Sequence, residues 1–75
     1  MIESHRLTVV RITTDLEGDI LADLEGDGVA IAAYFVPAAG VRRGDKFTFD
    51  RTDQTTWIIK RNGVVIQPLT WHFPD

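Results

Sequence analysis

The sequence predicts an all-β fold, a small antiparallel barrel of five to six short strands. Three observations carry this reading. Short runs rich in β-branched and aromatic residues alternate polar with apolar positions. Turn signals built on glycine and aspartate separate them about every eight to twelve residues. One run, Val29 to Val36, is apolar on both faces, so a flat open sheet would expose it. Closing the sheet hides that run and removes the free edges.

The elements follow in order. Leu7 to Thr14 (LTVVRITT) reads as a strand. Asp15 to Asp19 (DLEGD) supplies a turn. In the next strand Ile20, Ala22 and Leu24 alternate with Leu21, Asp23 and Glu25. Gly26-Asp27-Gly28 is a tight connection to Val29–Val36 (VAIAAYFV), read as a central strand. A helix is the competing reading there, because the run holds three alanines behind an aspartate. Pro37 lacks a backbone donor and ends the run. The loop PAAGVRRGD leads to Lys46–Asp50, where Phe47 and Phe49 share one face. Thr52-Asp53-Gln54 is a further turn. Thr55 to Arg61 places Trp57 and Ile59 together. Asn62-Gly63 tolerates positive φ at both positions and predicts a two-residue type I′ hairpin pairing Arg61 with Val64. Val64 to Ile66 is the return strand, interrupted by Pro68, and an aromatic tail, LTWHFPD, closes the chain.

Seventy-five residues make one domain, residues 1–75. A chain of this size buries only about 60% of its unfolded surface, so its core is thin. There is no cysteine, which removes disulfides, thiolate nucleophiles and cysteine-ligated zinc, and weakens a secreted reading. The N-terminus MIESHRLTVVRITT has neither the apolar run nor the cleavage site of a signal peptide. No stretch approaches the roughly 18 apolar residues of a membrane span. The expectation is a cytoplasmic protein without membrane attachment.

The net charge of −3 conceals a polar layout. Residues 15–27 hold six acids and no base, while residues 42–61 hold six bases against three acids. If the two segments fold apart, the domain is electrically polar. If they fold together, the charges cancel.

The run from Val9 to Thr52 resembles small bacterial β-barrel proteins of oligonucleotide-binding-like or Src-homology-3-like architecture. The matching pieces are Glu17-Gly18-Asp19, Val36-Pro37 and Val41-Arg42-Arg43-Gly44-Asp45. The C-terminal part, with Trp57, Trp71 and Pro68, departs from that pattern. The resemblance implies a barrel and implies no activity.

Each motif has a functional and a structural reading. Arg43-Gly44-Asp45 matches an adhesion tripeptide, but glycine and aspartate also serve a loop that turns into a strand. DLEGD occurs at Asp15–Asp19 and again at Asp23–Asp27. Neither copy has the ligand ladder of a calcium loop. They lie at opposite ends of a strand about 25 Å long, so they share no ion, and no metal or other cofactor is expected. His5 and His72 have no partner at catalytic or ligand spacing, and no nucleophile elbow or phosphate loop is present. The chain is therefore read as no enzyme.

Two binding surfaces remain. The first would contact another protein through Asp19, Asp23, Glu25 and Asp27, or through Trp71 and Phe73, since tryptophan is favoured at binding hot spots. Small acidic proteins of this kind include inhibitors and regulators, among them those that mobile elements direct at host defence proteins. The second would bind single-stranded nucleic acid through Arg42, Arg43, Lys46, Lys60 and Arg61, with Tyr34, Phe47, Phe49 and Trp57 as stacking partners. A third possibility is a small assembly subunit, a homo-oligomer joined through a sheet edge.

Overall fold

A computed structural model describes residues 3–51, 53 and 56–74. Its elements are β1 (Glu3–Thr14), β2 (Ile20–Gly26), β3 (Val29–Phe35), β4 (Lys46–Arg51), β5 (Trp57–Arg61), β6 (Val64–Val65) and β7 (Thr70–His72), with one 3-10 turn at Pro37–Ala39. All seven strands form one antiparallel sheet in the order β6-β5-β4-β1-β2-β3-β7. The sheet curls into a half-barrel. Among the described residues β6 and β7 have one neighbour each, so the curl stops short of closure.

The all-β expectation holds, and Val29–Phe35 is a strand, not a helix. Two details differ. The aromatic tail contributes a seventh strand, because Trp71 and His72 pair with Ala33 and Ala32. β1 begins at Glu3, earlier than its β-branched run, since Ser4, His5 and Arg6 pair with Asp50, Phe49 and Thr48. β3 is an interior strand as expected, paired with β2 and β7, and β1 lies in the middle of the seven. The turn expected at 52–54 falls partly outside the described residues, as does Thr55.

β1 makes the sheet curl. Its first half pairs with β4 and its second half with β2. Between Val9 and Arg11 the register slips by one residue. Such a bulge sharpens the local twist and reverses the inward–outward alternation. Leu7 and Val9 thus face the core before it and Ile12 packs on the core after it, while Arg11 faces outward. The loop before β4 seats on this bulge: the Val9 N–H donates to the Asp45 carbonyl at 2.9 Å, and the Gly44 N–H donates to the Val9 carbonyl at 2.8 Å.

Inside the curl lie Leu7, Val9, Ala22, Leu24, Ile31, Ala33, Phe35, Val41, Phe47, Phe49 and Ile59. An aromatic cluster joins the two ends of the sheet. Phe49 stacks on Trp57 at 4.1 Å and meets Trp71 edge-on at 4.9 Å, and Trp57 lies 6.2 Å from Trp71. β5 and β7 are therefore bridged by rings rather than by a hydrogen-bond ladder.

Arg61 secures the loop after β3. Its guanidinium donates to the Ala39 carbonyl at 2.6 Å and the Gly40 carbonyl at 3.3 Å, meets the Asp45 carboxylate at 3.3 Å, and lies over the Phe47 ring. Arg61→Met keeps the apolar stem and deletes the donors. A loss of about 1–2 kcal/mol is expected, read as a lower urea midpoint at unchanged slope.

Candidate protein-interaction surface

The sheet order separates the charges. The acidic segment lies on one side of β1, in the β1–β2 turn, β2 and the β2–β3 turn; the basic segment lies on the other, around β4 and β5. Three of the six bases on that side, Arg51, Lys60 and Arg61, pair with Glu3, Asp50 and Asp45, so much of the basic charge is neutralised locally.

On the acidic side the β2–β3 turn is Asp27-Gly28, with φ of 50° and 75°. This two-residue connection is a type I′ hairpin like that at Asn62-Gly63, where φ is 54° and 79°. The Asp27 carboxylate accepts the Arg6 N–H at 2.9 Å, which fastens the hairpin tip to β1. Asp19 ends a turn held by Asp15, whose carboxylate accepts the N–H groups of Glu17 and Asp19 at 2.9 Å. Asp23 and Glu25 share the outward face of β2, opposite Ala32 and Ala30. Asp23 also meets Arg11 from β1 at 2.8 Å, and this contact raises the Arg11 guanidinium further above its ordinary pKa. Glu25 is exposed and faces only small side chains across the ladder.

The C-terminal tail reaches this same surface. Val10, Arg11, Asp23, Glu25, Ala30 and Pro74 line one shallow groove. Trp71 is half-buried against the core, whereas Phe73 rests edge-on against Trp71 at 5.3 Å and is still 52% exposed. Of the tail only Pro74 reaches the acidic face; Trp71 and Phe73 turn inward to the cluster around Phe49, on the other face of the sheet from Asp23 and Glu25.

The basic candidates do not act as one patch. Arg61 is the loop clamp described above. Lys60 lies 3.5 Å from Asp50, and Lys46 donates to the Thr8 hydroxyl at 2.9 Å. Arg42 and Arg43 are exposed in the loop. Their expected stacking partners Phe47 and Phe49 are buried, and Trp57 is half-buried under Phe49. Arg43-Gly44-Asp45 is a turn: the Asp45 carboxylate accepts the Arg42 N–H at 3.0 Å and faces Arg61, and Gly44 has φ of 93°.

His5 sits 6.3 Å from the Trp57 ring and His72 is exposed on β7. Among the described residues no group of three or more His, Asp or Glu is placed to hold a metal ion. No helix there is long and apolar enough to cross a membrane. Comparison with protein-family models, with curated proteins and with solved structures finds no match to this chain.

Sequence reasoning missed the Arg61 clamp and the exposed Val64, Val65 and Leu69. The clamp has no local signal, since its partners lie about twenty residues away. Val64 and Val65 lie on the return strand that the sequence predicts, and their exposure follows from its place at the end of the strand order.

Proposed function

We propose that this chain is a non-enzymatic protein-interaction module, a small acidic regulator of a partner protein. Its contact surface is the groove between β2 and the C-terminal tail. One observation supports the reading: Asp23 and Glu25 line a single groove with the apolar Val10, Ala30 and Pro74. Such a surface fits a partner segment carrying a lysine or arginine next to apolar residues. Carboxylates select the basic group, and Val10, Ala30 and Pro74 supply apolar area. Small barrels of the kind the sequence resembles serve as scaffolds for many binding functions, so the reading rests on the surface and not on the fold.

A nucleic-acid reading would draw on Arg42, Arg43 and Lys46. The burial of Phe47 and Phe49 deprives it of an aromatic face on that side.

The test is an affinity capture from host lysate, divided into nuclease-treated and untreated halves. The expected result is one protein recovered equally from both. The double variant Asp23→Lys, Glu25→Lys should lower its recovery about tenfold or more with an unchanged circular dichroism spectrum. Recovery that depends on nucleic acid and survives the double variant would replace this reading with the other.

A further inference from the structure

Six cations sit on strands: Arg6 and Arg11 on β1, Lys46 and Arg51 on β4, Lys60 and Arg61 on β5. Four of them meet a carboxylate, Arg11 that of Asp23, Arg51 that of Glu3, Lys60 that of Asp50 and Arg61 that of Asp45. Among the described residues Arg6 and Lys46 meet none. These two line one groove of about 520 Å³, together with Thr8, Thr48 and the hairpin tip Asn62-Gly63.

The register explains the grouping. Arg6 pairs with Thr48 and Thr8 with Lys46, and strand alternation turns all four to the outer face. The cations occupy one diagonal of this rectangle, with Cβ atoms about 7–8 Å apart, and the hydroxyls occupy the other. The Lys46 ammonium donates to the Thr8 hydroxyl at 2.9 Å, which leaves the Thr8 proton free to be donated elsewhere. The acids nearby are placed otherwise. Asp27 accepts the Arg6 N–H, Asp50 holds Lys60 and the Ser4 hydroxyl, and Glu25 pairs with Thr8 from β2. None of the three lines the groove. Like charges held as neighbours on a sheet repel, and an anion between them relieves that repulsion.

From this we infer that the groove binds a dianionic oxyanion, the phosphomonoester group of a small phosphorylated molecule. Two unpaired cations match its two charges. The Arg6 guanidinium grips two oxygens as a fork, Lys46 acts as a point charge, and the threonine hydroxyls supply further donors. The groove is larger than a phosphate and leaves room for the organic part of the ligand. A polynucleotide would need further free cations in line. Lys60, next in the row beyond Thr48, is held by Asp50. This inference does not rest on the contact surface proposed above, which lies along β2.

Amide NMR of the isotope-labelled protein, titrated with inorganic phosphate at an ionic strength held constant with chloride, tests it. Saturable shifts are expected at Arg6, Thr8, Lys46, Thr48 and Gly63, with a Kd on the order of 1 mM for phosphate alone. Arg6→Gln and Lys46→Gln, both at exposed positions, should each weaken binding about tenfold with a spectrum still that of the folded protein. Lys46→Arg, which keeps the charge, should retain binding. Shifts that never saturate, or that chloride alone reproduces, would overturn the inference. So would either glutamine variant binding as wild type does, or saturation centred on Arg42 and Arg43. An oligothymidylate without a terminal phosphate that binds these amides more tightly than phosphate would also overturn it, by marking a nucleic-acid surface.

Discussion

Gly26→Ala is expected to destabilise the protein by about 3 kcal/mol, a fall in Tm on the order of 15 °C for a chain of this size. The reason is geometric. A Cβ on Gly26 would overlap the Arg6 carbonyl oxygen and would lie 3.1 Å from the Arg6 carbonyl carbon and 3.2 Å from the Leu7 Cα. All three atoms are backbone of β1, the strand on which the sheet is centred, so no side-chain rotation relieves the contact. Asp27 fastens the hairpin to Arg6 at the same point, so the tip cannot lift without losing that hydrogen bond. Gly28→Ala is the internal control. Gly28 has φ of 75° but open space around it, and alanine there should cost only about 1 kcal/mol, from backbone conformation alone. Thermal or urea unfolding of the pair separates steric contact from conformational strain. Equal losses at the two positions would refute the close approach of the β2–β3 hairpin to β1.

Phe49→Ala is the second large effect, expected at about 4 kcal/mol. Phe49 is fully buried and touches the rings of Trp57, Trp71 and Phe73, which lie on or beside β5 and β7. It therefore links the two ends of a sheet that has no ladder between them. A chain of this length has a total stability of about 4–11 kcal/mol, so the alanine variant should be largely or partly unfolded at room temperature. Phe49→Leu refills most of the volume without the ring contacts and should cost about 1.5 kcal/mol. In that folded variant tryptophan fluorescence should shift to the red, as Trp57 and Trp71 gain solvent. A leucine variant with wild-type fluorescence and stability would show that the rings do not tie β7 to β5.

The particular residues explain how much the sequence revealed. Alternation at Ile20, Ala22 and Leu24 placed β2 correctly, because a strand with one buried face writes its period directly into the chain. Asn62-Gly63 placed a hairpin because few residue pairs accept positive φ twice. Asp27-Gly28 carries the same signal inside a segment, Gly26-Asp27-Gly28, whose three turn formers leave the hairpin type open. β7 was less legible: TWH has no alternation of its own, and its place depends on rings from β4 and β5. The open edge was illegible for a related reason. Whether a curled sheet closes depends on strand count and bulge geometry, and the slip between Val9 and Arg11 leaves no mark in residue type. Of the candidate interaction surface, the acids were visible as a charge run. Their nearness to Pro74 is a property of strand order.

The account turns on a sheet that curls without closing, with β6 and β7 left as free edges. Residue-resolved amide hydrogen exchange of the dilute monomer tests this most directly. The predicted result is rapid exchange at Val65 and Trp71, whose N–H groups face outward, with strong protection at inward-paired amides of β1 and β2 such as Val9 and Leu24. Protection at Val65 and Trp71 equal to that of β1, under conditions where the protein is monomeric, would mean that the barrel is closed and would contradict the account.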